Sequence, residues 1–191
     1  MGPRLIVGLG NPGTRYEQSR HNVGFWFIDA LARRAHTPLR QEAKFHGEVG
    51  KLPQGCWLLK PLTFMNRSGT AVAAMARYYR LAVEEILVAH DDLDLPPGTV
   101  RLKRGGGAGG HRGLMDIIAH LGDNAFYRLR LGIGHPGRRE DVVSYVLSPP
   151  SPEQRASILS AIDKALDAMP LILEGAWEKA MHRLHSKEHG H

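Results

Sequence analysis

Cysteine is almost absent from this chain. Cys56 is its one thiol, so no intramolecular disulfide can form and a four-thiolate zinc site is excluded. No apolar run approaches the roughly 18 residues that would read as a membrane span. The opening residues lack the basic-then-apolar layout of a secretory leader, and a strand signal starts at once near Leu5. A reducing, cytoplasmic setting with no membrane partner is therefore expected. Also missing are an H-E-x-x-H pair, a histidine pair set with a thiol at zinc spacing, and the Gly-Lys-Ser/Thr ending of a nucleoside-triphosphate loop. No serine or cysteine occupies a nucleophile elbow, and Cys56 has no adjacent base. Water is left as the expected nucleophile.

What is present is ordinary in amount. The 191 residues suit one domain, and 42% hydrophobic with 23% charged residues is close to the globular average, which excludes a disordered chain. We expect one domain over 1–184 and a polar tail over 185–191. The formal net charge is +6, which favours an anionic partner, nucleic acid first among them, only if the cations gather near a site.

Short apolar runs alternate with amphipathic stretches, which reads as an α/β fold. Strands are expected at Arg4–Val7, Trp57–Lys60, Ile86–Ala89, Val100–Lys103 and Leu129–Ile133, with weaker signals at Phe45–Val49 and Val142–Leu147. Helices are expected at Asn22–Arg34, Ser68–Tyr79, Leu114–Leu121 and from Pro152 onward. Ser151 and Gln154 make a capping-box pattern around Pro152, and Ile158, Leu159, Ile162 and Leu166 keep helical spacing. Pro170 is expected to kink or end that helix before a last segment through Ile172, Leu173 and Trp177.

Four polar or glycine-rich stretches each follow an apolar strand: Gly8–Gly13, Pro61–Asn66, His90–Asp94 and Arg104–Gly113. If the strands run parallel, all four meet at one crevice beyond their carboxyl ends. Gly8, Gly10 and Gly13 match the dinucleotide fingerprint G-x-G-x-x-G, which would suit a nicotinamide-dependent oxidoreductase. Pro12 offers no N–H to a pyrophosphate, however, and the next helical pattern begins only at Asn22. The run Gly105–Gly110 is flanked by Arg101, Lys103, Arg104 and Arg112. Arg101 and Lys103 share one strand face, as do Arg128 and Arg130. A solvated face and a phosphate site explain that cluster equally well.

Most of the 11 histidines must be structural or exposed. His21 stands apart because it falls just before a helix, at the mouth of the expected crevice. A histidine near neutral pH can act as a general base, and a carboxylate such as Asp91 can fix its tautomer and stabilise the imidazolium. A helix-capping histidine without chemistry would look the same on spacing alone. Asp91, Asp92 and Asp94 could hold magnesium, but a solvated turn before Pro96-Pro97 accounts for them as well, and no metal is expected.

At these residues the sequence resembles the bacterial peptidyl-tRNA hydrolases over nearly its whole length. The markers are Val7-Gly8-Leu9-Gly10-Asn11-Pro12-Gly13, Tyr16, Arg20-His21-Asn22 and Thr63-Phe64-Met65-Asn66-Arg67-Ser68-Gly69. His90-Asp91-Asp92-Leu93-Asp94-Leu95-Pro96-Pro97-Gly98 and Arg128-Leu129-Arg130-Leu131-Gly132-Ile133-Gly134-His135-Pro136 complete the set. The resemblance implies a monomer with a twisted, largely parallel mixed sheet surrounded by helices, and hydrolysis of the ester between a peptide and tRNA. It implies His21 as base, Asp91 as its support, and Asn11 as the residue that distinguishes a peptide from a free aminoacyl group. Tyr16, Phe64 and Asn66 would line the substrate site, Lys103 and Arg130 would hold the tRNA 5′ phosphate, and no cofactor is implied. The family more usually has asparagine where this chain has Arg112. Arginine cannot accept a hydrogen bond, so Arg112 is expected to turn to phosphate and Asn11 or Asn66 to supply the acceptor. A non-catalytic RNA-binding module is the rival in another class.

Overall fold

The computed structural model describes residues 1–185. Seven strands form one sheet: β1 (Leu5–Gly8), β2 (Arg40–Glu42), β3 (Gly47–Lys51), β4 (Trp57–Pro61), β5 (Ile86–Asp92), β6 (Val100–Arg104) and β7 (Tyr127–Gly132). Six helices accompany them: α1 (Val23–Arg34), α2 (Ser68–Tyr78), α3 (Arg112–Leu121), α4 (Val142–Val146), α5 (Pro152–Leu173) and α6 (Trp177–His185). The strand order is β2-β3-β4-β1-β5-β7-β6. The inner strands β4, β1, β5 and β7 are mutually parallel, and β3 and β6 pair antiparallel with their neighbours β4 and β7. This is the α/β fold that the alternation of patterns implied, with the mixed, largely parallel sheet that the resemblance implied.

Alternation along the strands sends side chains to two cores. Ile6, Leu58, Leu87 and Leu129 pack with α1, α5 and α6 on one face. Leu5, Val7, Leu59 and Val88 pack with α2 and α3 on the other. The inner strands are apolar on both faces because both are covered. Close approach explains the first glycines: a Cβ at Gly8 would overlap the Gly24 carbonyl of α1, and one at Gly10 would meet the Phe25 ring. The first two glycines of the fingerprint-like spacing therefore serve close packing on α1, and Gly13 a turn at φ 102°.

Several elements differ from the sequence reading. Val142–Leu147, read as a weak strand from its β-branched residues, forms the short helix α4. Tyr145 Oη donates to Ile133 O at 2.7 Å there, so tertiary contacts override propensity in a run too short to show a period. Strand β2 was not read at all: Arg-Gln-Glu is wholly exposed and carries no apolar alternation, which suits an edge strand. Phe45 lies in a 3-10 turn, and the strand expected from it begins at Gly47, after His46 turns the chain at φ 53°. Pro170 does not end α5, which runs on to Leu173. Pro170 is exposed in the last turn, where it forgoes the N–H bond to the carbonyl four residues back while the helix continues for three more residues. The capping box is formed as read, with Gln154 N donating to Ser151 Oγ and Ser151 N to Gln154 Oε1, both at 3.2 Å. His185, placed at the head of the expected tail, is the last residue of α6 and accepts from Leu102 N–H at 2.9 Å. The remainder of that tail, 186–191, lies outside the described residues.

Candidate active site

Strand β5 is longer than its apolar run. It continues through His90, Asp91 and Asp92, paired with Arg130, Leu131 and Gly132 of β7. The carboxylate expected on a loop is thus fixed on an inner strand. Asp91 is buried, and each of its oxygens meets a histidine: His21 Nδ1 at Oδ2 and His111 Nε2 at Oδ1, both at 2.8 Å. The two imidazole rings lie 5.1 Å apart.

Hydrogen-bond logic assigns the protons. Leu114 N–H donates to His111 Nδ1 at 3.3 Å, so the proton between His111 and Asp91 sits on His111 Nε2. His21 likewise donates Nδ1–H to Asp91, which leaves its Nε2 lone pair available. Burial pushes the Asp91 carboxyl up, but the charges and hydrogen bonds of His21 and His111 outweigh it and hold the group well below the usual carboxylate range. At His21 burial works against the charged form, the Asp91 charge and hydrogen bond overcome it, and Arg112 pulls back; the outcome is a raised pKa. His90 behaves in the opposite way. Burial and the neighbouring His111 lower it to about 4, so it stays neutral, and its Nδ1–H donates to Asp91 O at 2.8 Å.

The turn bearing His21 is bracketed to the first loop. Asn11 N–H donates to Asn22 Oδ1, and Asn22 Nδ2 donates to Asn11 O, each at 2.9 Å. Asn11 Oδ1 accepts from Met65 N–H at 2.7 Å, which joins that loop to the 3-10 turn Met65–Arg67. With its carbonyl so engaged, Asn11 has its Nδ2 donors to offer a ligand. Asn66 is exposed on the same turn. Tyr16 and Phe64 meet edge to face at 6.5 Å, and Phe64 remains 57% exposed although it is a large apolar ring.

The basic stretch reaches the site by a route that sequence order hid. Strand β6 runs against β7, so the loop after Arg104 starts at the far end of the sheet, where Gly105 N–H donates to Phe126 O. It then returns to deliver His111 to Asp91. The expectation that four strand ends converge therefore holds for three stretches; the fourth arrives by this return. Register pairs Arg101 with Arg130 and Lys103 with Arg128, which gathers all four cations on one face. Arg128 is not available to a ligand: it is buried, and its guanidinium donates to the carbonyls of Gly106, Gly107 and Asn124. Arg130 Nε donates to Asp92 Oδ2 at 2.8 Å, which ties this face to the residue beside Asp91, and Lys103 is exposed. Arg112 is exposed in the first turn of α3, next to His111.

His111 was not singled out by the sequence reading. Its signal was a histidine at a helix start, the same signal as at His21. His21, Asp91 and His111 are also a group whose atoms could ligate a metal ion, all lying within 4.8 Å of one another. Both contacts to Asp91 have hydrogen-bond length, and the carboxylate oxygens are already divided between the two rings. A separate groove of about 440 Å³, lined by Phe25, Trp26, Lys60 and others, adjoins Asn11 and Asn22, whereas His21 and Asp91 are not among its lining residues.

The family model described as "Peptidyl-tRNA hydrolase" matches residues 5–190. A peptidyl-tRNA hydrolase of Thiobacillus denitrificans is 58% identical over 185 residues, spanning 97% of this chain and 91% of that protein. One of Neisseria meningitidis is 58% identical over 187 residues, 96% of this chain and 97% of the relative. The crystal structure of peptidyl-tRNA hydrolase from Acinetobacter baumannii superposes with a TM-score of 0.93 at 47% identity, over 96% of this chain and 95% of that one.

Proposed function

Because the chain belongs to the peptidyl-tRNA hydrolase family, we propose that it hydrolyses the ester joining a peptide to the 3′ end of tRNA, with His21 as general base. The observation that carries the role of His21 is its 2.8 Å contact with buried Asp91. Nε2 of His21 takes a proton from water as the water oxygen attacks the acyl carbon. The Asp91 carboxylate stabilises the imidazolium through Nδ1–H. The ester C–O bond then breaks, and the proton passes to the departing ribose oxygen, leaving a peptide carboxyl group and free tRNA. An ester needs less activation than an amide, which suits a lone base worth roughly 10²–10⁴-fold.

Substrate contacts follow from the surrounding chemistry. Asn11 Nδ2 and Asn66 offer hydrogen bonds to peptide backbone, which every peptide presents. Tyr16 and exposed Phe64 offer ring faces to a side chain or an unpaired base. Lys103 and Arg130 take the tRNA 5′ phosphate, and Arg112 a further phosphate, by charge. The scheme uses no metal and no cofactor. We further read residues 1–184 as one catalytic domain acting as a monomer in the cytoplasm; no helix among the described residues is long and apolar enough to cross a membrane.

The test is turnover of N-acylated aminoacyl-tRNA by His21→Ala. The expected result is a fall on the order of 10²–10⁴-fold with tRNA affinity and folding retained. Near-normal turnover would remove His21 from the role of base. Binding without peptide release by the unsubstituted chain would instead favour an RNA-binding module.

A further inference from the structure

His21 is the middle residue of the 3-10 turn Arg20–Asn22, and its two neighbours are anchored in different directions. Asn22 holds the Asn11 backbone through the paired bonds described above. Arg20 is buried, and its guanidinium reaches the junction of α4 and α5. Its Nη1 donates to Ser148 Oγ at 2.7 Å and to Tyr145 O at 3.0 Å, with Ser148 O at 3.3 Å. Nη2 donates to Gln154 Oε1 at 3.0 Å, the same oxygen that accepts from Ser151 N–H in the α5 cap. The guanidinium also stacks over Tyr145, 3.8 Å from the ring centroid, and the Arg20 backbone N–H donates to Ser148 O at 3.0 Å.

These acceptors are all neutral. Desolvating a cation without an anion is costly, and Nε of Arg20 is buried with no partner among the described residues. A general stabilising role is a poor explanation for such an arrangement, because apolar packing would serve better. A planar fork that meets several acceptors at once does fix orientation, and a lysine in its place would supply a single point of attachment. We infer that Arg20 is a positioning residue for the reaction: it locks the 3-10 turn against the α4–α5 junction so that His21 Nδ1–H stays aimed at Asp91 Oδ2. Asn22 restrains the other side of the turn. This inference rests on the reading of His21 as base.

The test compares Arg20→Lys and Arg20→Met with the unsubstituted chain in turnover and in proton NMR. Asp91 receives two N–H donors, so two strongly downfield imidazole resonances are expected, one from His21 and one from His111. Arg20→Lys should lower kcat about 10–100-fold with KM within about twofold, the scale of a misplaced reacting group. It should also broaden or shift the His21 resonance while that of His111 persists as an internal reference. Gln154→Ala, which removes one acceptor and keeps Arg20, should give a smaller loss of the same kind and add nothing in the Arg20→Lys background. It decides the matter if Arg20→Met fails to fold. Unchanged kcat in folded Arg20→Lys overturns the inference. So does a higher KM at constant kcat, which would assign Arg20 to substrate binding, or the loss of both resonances together, which would mean general loosening. An active His21→Ala enzyme would sink the base reading and with it the part of Arg20 in the reaction, whereas the His21 resonance in Arg20→Lys separately reports whether Arg20 aims the ring.

Discussion

The Asp91 centre and the β6–β7 basic face sit side by side yet are built on opposite principles. At the centre each carboxylate oxygen has its own imidazole, the carboxylate is buried, and its pKa is set by partners a hydrogen bond away. On the basic face Lys103 is exposed, while Arg130 keeps one contact to Asp92. Interactions at the centre are short-range and shielded from salt; those on the face act through water and are screened within about 10 Å at 0.1 M salt. In the function proposed above, the contrast separates two tasks, proton transfer at the centre and long-range capture of a polyanion at the face.

The strongest way to break this division is Asp91→Asn. The amide cannot stabilise an imidazolium, and kcat should fall on the order of 10²–10⁴-fold, while the salt dependence of tRNA binding, measured by filter binding, stays as it was. A changed salt slope would mean that the centre also captures substrate. Lys103→Ala should do the reverse: weaker binding at low salt, a log K versus log salt slope reduced by about one unit or slightly less, and kcat at saturation unaltered. A lowered kcat would show that the face takes part in chemistry.

Arg112→Asn probes the boundary between them and should have the smallest effect. His21 is raised above its ordinary 6.5, so its basic form is lost as pH falls through that raised value. Asp91 raises it, and Arg112 opposes the rise. Removing Arg112 should therefore move the acid limb of the kcat/KM profile to slightly higher pH and weaken tRNA binding, more at low salt. A limb that stays put, with binding unchanged across salt, would take Arg112 out of both tasks.

Much of this was legible before any coordinates. The apolar runs of β1, β4, β5 and β7 mark an inner sheet, and Ser151, Pro152 and Gln154 mark the start of α5, because these signals act over a few residues. His21 and Asp91 were legible as a pair through placement, the one before a helix and the other after an apolar run, and through resemblance. The share of His111 in Asp91 was not. It depends on β6 running backwards and on a glycine-rich segment returning to the crevice, and neither direction nor return path is written in local pattern. Arg128 was left open for a related reason: strand alternation gave its face correctly, but only the loop above it shows that its donors are consumed by Gly106, Gly107 and Asn124. Helix α4 and strand β2 were missed where a short run carries either no period or no apolar residue.

The extension of β5 through Asp92 has a consequence for how such an enzyme can change. The carboxylate proposed to steady the base belongs to the sheet's middle, with β1 on one flank and β7 on the other, while Tyr16, Phe64 and Asn66 ride on connections outside it. Under the proposed function, a change in those connections alters the surface offered to the acyl group, while the carboxylate keeps its place in the sheet, a fixed datum against which new binding surfaces are measured.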